Sequence, residues 1–228
     1  MGIVYLKKGD PFPDPKEADE RGLIAVGGEL NVKTLLSAYS LGIFPWYSKG
    51  EPLMWWSPDP RMVLFPEEIH ISGTMKRLLK KNIFNVTCDT KFESVIEKCR
   101  SAGSRVNGTW ITDEMVCAYM DFHREGYAHS IEVWDGDELV GGFYGVSIGK
   151  IFFGESMFYL KKNASKYGFI KFVEYLKNRG FILIDCQVYT EHMASLGACE
   201  IPGEEFKKIL NKGISTALND KVSFDCDI

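Results

Sequence analysis

The chain has 228 residues, 45% hydrophobic and 25% charged, with a formal net charge of −4. That length holds one large domain, or one domain with a small partner, in an ordinary globular composition. The balance excludes a coat of basic charge for long nucleic acid, though not a local basic patch.

The six cysteines are Cys88, Cys99, Cys117, Cys186, Cys199 and Cys226. They include no C-x-x-C pair and no His at ligand spacing, so the expectation is reduced thiols and no metal. The first residues lack the apolar stretch of a signal peptide, and no apolar run is long enough to cross a bilayer. A cytoplasmic location without membrane contact is expected.

In chain order, residues 10–22 are rich in Pro and charge and read as loop. GLIAVGGEL follows, then a short amphipathic helix near 32–40 with Val32, Leu35, Leu36 and Tyr39 at helical spacing and Gly42 just past its end. Trp46, Trp55 and Trp56 crowd the next segment. Its prolines (Pro45, Pro52, Pro58 and Pro60) argue against regular central strands. A domain boundary is placed soon after Arg61, giving a small N-terminal domain at 1–62 and a larger one at 63–228.

The larger part reads as mixed α/β. VLFPEE is a short strand, Ser72 caps a helix through MKRLLKKN, and NVTCD is a strand. FESVIEKCR is a helix with Phe92, Val95, Ile96 and Cys99 on one face. Thr112 caps another, which ends at Gly126. Residues 129–158 read as consecutive strands turning near Asp135-Gly136 and Ile148-Gly149. A helix near 164–179, the buried strand FILIDCQVY and a final helix near 204–212 complete the series.

Three constellations stand out. In ILIDCQV, strand alternation puts Asp185 and Gln187 on one face and Cys186 on the other. Two polar groups in so apolar a strand need partners, either a structural hydrogen bond or a ligand. In GESMF, Glu155 ends an apolar strand, where a carboxylate either grips an amine or pairs with a Lys or Arg. The aromatic run at 44–56 is either a small core or a stacking surface. The four histidines are scattered, and His129 on its strand reads as structural. Lys76, Arg77, Lys80 and Lys81 form one basic cluster and Lys161, Lys162, Lys166 and Lys171 another; each suits an RNA backbone or is a solvated helix face.

GLIAVGGEL, LLSAYSLGIFPWY, WWSPDPR, TWIT, AHSIEVW, LVGGFYGV, GESMF, NASK, IDCQ and SLGACEIP stand in this order. Together they resemble the leucyl/phenylalanyl-tRNA–protein transferase family over residues 22 to 212. The resemblance implies a small N-terminal domain and a GCN5-related acetyltransferase-like domain, with a mixed, mostly antiparallel sheet flanked by helices. It implies transfer of Leu, Phe and less readily Met from aminoacyl-tRNA to proteins that begin with Arg or Lys. That marks them for N-degron degradation, with no metal and no diffusible cofactor. The glycine-rich pyrophosphate loop of an acetyl-CoA enzyme is missing after GESMF. A monomer is expected.

By the same resemblance, Tyr39, Trp46, Trp110 and Tyr119 lie at the aminoacyl-adenosine end of the tRNA. Phe143, Phe152, Met157, Phe169 and Phe172 form the apolar pocket, and Glu155, Asp185 and Gln187 lie at the active centre. From their own clustering, apart from the resemblance, Lys76, Arg77, Lys80 and Lys81 are expected to meet the tRNA backbone. Phe143 stands where a relative has Met, and Gly203 where the family often has a basic residue. Asp185 is expected to organise the proton leaving the acceptor amine, Gln187 to orient that amine, and Glu155 to recognise an amine.

Overall fold

The computed structural model describes residues 3–101, 109–215 and 224. The N-terminal segment supplies a four-stranded sheet. β1 (Val4–Leu6) runs parallel to β2 (Leu23–Gly27), which pairs antiparallel with β4 (Met54–Trp56), which in turn pairs with β3 (Phe44–Pro45). Between β2 and β3 runs α1 (Val32–Ser40). The Asn31 side chain accepts the Thr34 amide at its start, and Gly42 follows its end at φ +77°. The prolines do not keep strands out of this sheet. β4 is three residues long and fits between Pro52 and Pro58, while Pro45 stands on the edge strand, where its missing N–H costs no ladder bond.

The remainder builds β5 (Arg61–Leu64), α2 (Gly73–Lys80), β6 (Asn85–Cys88), α3 (Phe92–Ser101), α4 (Asp113–Arg124), β7 (Ala128–Asp135), β8 (Glu138–Ile148), β9 (Ile151–Tyr159), α5 (Ala164–Asn178), β10 (Leu183–Gln187), α6 (Glu191–Ala194), β11 (Cys199–Ile201) and α7 (Gly203–Ser215). The seven strands form one sheet in the order β11-β5-β10-β9-β8-β7-β6. β9 and β10 are parallel, and the other neighbours are antiparallel. This is the mixed, mostly antiparallel sheet expected. Ser72 and Thr112 cap α2 and α4 through their side chains, as their positions suggested. α6 and β11 span too few residues for a period to register, and the pattern did not announce them.

Alternation along the strands divides the core. Phe153 and Tyr144 face the cluster built with α1, α3, α4 and α7, whereas Phe152 and Phe143 face the one built with α5. Gly141 lets α5 approach β8, because a Cβ there would lie 2.8 Å from the Cβ of Ala164. His129 is buried, with its Nδ1 2.7 Å from the Asp89 carboxylate, a structural role as read. The expectation of reduced thiols does not hold throughout. Cys88 is disulfide-bonded, Cys117, Cys186 and Cys199 are free thiols, and Cys226 lies outside the described residues.

Candidate active site

The site forms where two neighbouring strands both break their regular pairing. β9 and β10 run in register from Leu183↔Ile151 to Asp185↔Phe153. Just beyond, Gly145 pairs with Gly154 and Tyr144 with Ser156, leaving Glu155 as the extra residue of a bulge. On β10 the pairing with β5 jumps from Asp185↔Val63 to Gln187↔Met62. Gln187 has φ +65°, left-handed for a residue with a Cβ. A bulge re-aims a side chain, and a non-glycine residue in that region costs about 1–3 kcal/mol, so neighbours must hold it.

Asp185 does the holding. Its Oδ1 accepts the Gln187 backbone N–H at 2.9 Å and Arg61 Nε at 2.8 Å, and its Oδ2 accepts Arg61 Nη2 at 2.7 Å. Both partners are fully buried, at 1% and 0% exposure. The Arg61 guanidinium lies between the rings of Phe44 and Phe206, 5.0 and 4.6 Å from their centroids. This departs from strict alternation in β10. Asp185 turns to the side of Arg61, while Ile184, Cys186 and Gln187 line the cavity on the other. The carboxylate expected to meet the acceptor amine is engaged with Arg61 and the β10 backbone instead.

In the sequence pattern Arg61 marks only a domain boundary. The signal was present: an Arg among the apolar residues of RMVLF and an Asp among those of ILIDC are two strand charges that each need an opposite partner. Asp59 of the same segment accepts the Gly203 amide at 2.9 Å, tying WWSPDPR to the start of α7. A Cβ at Gly203 would lie 2.8 Å from that carboxylate, which fits the absence of a larger residue there.

Among the described residues, Glu155 points to no Lys or Arg. Its Oε1 accepts the Tyr39 hydroxyl at 2.7 Å and Gln187 Nε2 at 2.9 Å, and its Oε2 accepts the Tyr119 hydroxyl at 3.0 Å. The two tyrosine hydroxyls also touch each other. Burial pushes the Glu155 carboxyl up from 4.5 to about 7. The hydrogen bonds from Tyr39, Tyr119 and Gln187 pull it back down, and the Asp185 charge adds to the rise. The phenols are held well above their usual value, first by burial and then by the Glu155 charge, so both remain donors. An ionised carboxylate only accepts, so Gln187 must turn its Nε2 toward it, and this leaves Oε1 as an acceptor with no partner among the described residues.

A cavity of about 540 Å³ opens beside this network. Phe143, Phe152, Met157, Phe169 and Ile184 give its apolar wall, and Glu155 and Gln187 stand at one end. A smaller cavity of about 130 Å³, between Trp46 and Trp110, shares Trp110, Glu155, Gln187 and Val188 with it. Trp46 is 43% exposed, and its ring packs 5.9 Å from Trp56. Of the nine residues expected at the pocket and the tRNA end, three stand elsewhere. Tyr39 and Tyr119 are buried behind Glu155, and Phe172 lies behind the wall, 5.5 Å from Phe143 and 4.8 Å from Phe152. Ser165, Thr190, His192 and Met193 also line the larger cavity. They come from the start of α5 and from α6 with its capping Thr190, whose approach to β10 no local pattern encodes.

The basic residues of α2 behave as a surface. Lys76, Arg77, Lys80 and Lys81 are exposed, and among the described residues no carboxylate forms an ion pair with them. In the second cluster, Lys161 is engaged by Asp135 at 2.7 Å and Glu138 at 3.4 Å. Among the described residues no group of three or more His, Cys, Asp or Glu side chains is placed to hold a metal ion, and no helix is long and apolar enough to cross a membrane.

An apolar cavity closed by a carboxylate of raised pKa suits an enzyme that presents an apolar group to a proton-transfer centre, and the relatives of the chain name its class as a transferase. A family model described as leucyl/phenylalanyl-tRNA protein transferase matches residues 63–211, and the model of that family's N-terminal domain matches residues 28–59. The chain is 50% identical over 211 residues to the leucyl/phenylalanyl-tRNA–protein transferase of Pseudomonas fluorescens, covering 91% of this chain and 93% of that one. It is 51% identical over 213 residues to the Pseudomonas syringae pv. syringae protein of the same name, covering 92% and 93%. To that of Flavobacterium johnsoniae it is 50% identical over 209 residues, covering 91% and 99%. The chain belongs to the leucyl/phenylalanyl-tRNA–protein transferase family, and its activity is aminoacyl transfer from tRNA to protein.

Proposed function

We propose that the enzyme takes Leu, Phe and less readily Met from aminoacyl-tRNA and joins them to the α-amine of proteins that begin with Arg or Lys, marking these for N-degron degradation. The observation that carries this reading is the apolar cavity ending at Glu155 and Gln187. Filling it with an unbranched-Cβ apolar side chain removes apolar surface from water at about 25 cal/mol per Å². The aminoacyl ester then lies beside the Glu155–Gln187 pair, and Trp46 and Trp110 face the terminal adenosine from the smaller cavity.

The ester carbonyl is attacked by a neutral amine, so the acceptor's ammonium must first lose a proton. Glu155, with its pKa raised to about 7, is the group suited to take it. Gln187 Oε1 receives one of the two remaining N–H groups and orients the nitrogen. Asp185 acts through the β10 backbone, holding Gln187 in place, and Tyr39 and Tyr119 fix the Glu155 carboxylate. The C–O bond to ribose breaks as the amide forms, and the second proton shed by the nitrogen passes to the departing ribose oxygen; an ester becoming an amide runs downhill, so the step needs no ATP.

Lys76, Arg77, Lys80 and Lys81 are assigned to the tRNA backbone, supported by their exposure without acidic partners. We also retain a domain division at 1–62 and 63–228, an acetyltransferase-type reading of the larger domain, a monomer and a cytoplasmic location. A division is supported by the two sheets, which use residues 4–56 and 61–201 respectively; Arg61 and Met62, the first residues of β5, go with the larger sheet.

The test incubates the purified enzyme with [14C]Leu-tRNA and a protein with N-terminal Arg, beside an N-terminal Met control, without ATP or acetyl-CoA. Acid-stable label on the Arg acceptor alone is expected. tRNA binding without label on either acceptor would refute the reading in favour of an adaptor. Transfer from Val-tRNA as fast as from Leu-tRNA would refute the assignment of the cavity.

A further inference from the structure

We propose that Phe224 sets the depth of the aminoacyl cavity and is thereby a specificity-determining residue of the transfer reaction. This rests on the assignment of that cavity to the donor side chain. Phe224 lies beyond the segment matched by the family model, which ends at residue 211. It is nonetheless 3% exposed and belongs to the core cluster behind the cavity. Its ring lies 5.4 Å from Phe172 and 6.4 Å from Phe152. Its other neighbours are His129 at 4.4 Å, with Phe181 and Tyr175 each at 5.9 Å.

The route from Phe224 to the cavity passes through rings alone. Phe152 forms part of the wall, and Phe172 backs both Phe152 and Phe143. Phe152 has no room to retreat toward β8, because its ring already occupies the space a Cβ on Gly145 would need, 2.5 Å from Cζ. The direction left to it and to Phe172 is the one Phe224 fills. Close-packed interiors transmit such a displacement, since deleting a ring leaves a cavity into which neighbours partly relax. Phe224 thus acts as a wedge behind the floor: shrinking it deepens the cavity, and enlarging it makes the cavity shallower.

The test compares kcat/KM for tRNAs charged with Leu, Phe and Trp in the full-length enzyme and three variants. A ratio of two donors on one preparation cancels the folded fraction, so a merely structural role would not move it. Phe224→Ala is expected to raise the Trp-to-Leu ratio about tenfold, and Phe224→Leu to raise it less, in line with what a few methylene equivalents decide in an apolar pocket. Phe224→Trp is expected to lower the Phe-to-Leu ratio by a similar factor. Phe224→Leu and Phe224→Trp keep the test decisive if the Ala variant fails to fold. Ratios within about twofold of the parent in the folded variants would overturn the proposal. Failure of the parent enzyme to transfer Leu at all would instead overturn the function and, with it, the cavity assignment on which this proposal rests.

Discussion

Glu155→Gln separates the chemistry of the carboxyl from its cost to the fold. In the folded protein the Glu155 pKa rises from 4.5 to about 7, which corresponds to about 3 kcal/mol between its two protonation states. Between those values the folded protein holds a proton that the unfolded chain has released. Stability from this group is therefore fully present below pH 4.5 and is lost as pH rises through 7. A Gln has no such dependence, and the Tyr39 and Tyr119 hydroxyls can serve it as donor or acceptor. The stability of Glu155→Gln minus that of the parent is expected to grow by about 3 kcal/mol between pH 4.5 and 8.5. Urea denaturation of both proteins across that range measures it, and the subtraction cancels the other titrating groups. Transfer activity is expected to fall about 10²–10⁴-fold, the range for loss of a general base. The parent's kcat/KM should decline as pH drops through about 7. A stability difference that stays flat with pH would refute the buried, titrating carboxyl, and near-normal turnover would refute its role as base.

Tyr39→Phe and Tyr119→Phe each remove a bond that lowers the Glu155 pKa, so each should move the acid limb of the pH–rate profile upward; an unmoved limb would show that the tyrosines do not govern this carboxyl. Arg61→Met leaves Asp185 buried without its cation and should cost about 3–5 kcal/mol in urea denaturation, whereas Arg61→Met with Asp185→Leu should recover much of it. Recovery of stability without recovery of activity is expected, because Asp185→Leu removes the acceptor that holds the Gln187 amide. Lys80→Glu with Lys81→Glu should weaken tRNA binding with little change in kcat, and flatten the salt dependence by roughly 0.7–0.9 in log–log slope for each phosphate no longer neutralised.

Much of the fold was legible because its helices and long strands carry their own period. Phe92, Val95, Ile96 and Cys99 define one face of α3, and all four are buried. Ser72 and Thr112 mark helix starts through side-chain bonds local to three residues. The site was legible as an inventory: Glu155, Gln187, Phe143, Phe152, Met157 and Phe169 meet at one cavity. Its directions were not legible. Alternation assumes an unbroken strand, and the bulges at Glu155 and between Asp185 and Gln187 are set by pairing with β8 and β5, partners that no local window contains. The places of Arg61, Tyr39 and Tyr119 likewise depend on contacts at long range, 124 residues for the Arg61–Asp185 pair and 116 for Tyr39–Glu155.

These irregularities explain why charged and strained residues persist in so apolar a setting. A regular β9–β10 pair would continue its ladder past Phe153 and Asp185 and leave no opening between the strands. Bulging Glu155 out of β9 and turning Gln187 left-handed on β10 parts them, and the hydrogen bond from Gln187 Nε2 to Glu155 then bridges the gap. Each distortion is held by groups with no reach to the cavity: Asp185 with Arg61 under β10, and Tyr39 with Tyr119 under β9. Arg61 in turn is clamped by Phe44 from the N-terminal segment and Phe206 from α7. The N-terminal segment therefore reaches the reacting centre twice, through Tyr39 and through Phe44 with Arg61. Loosening its packing should lower the transfer rate even where the large sheet stays intact.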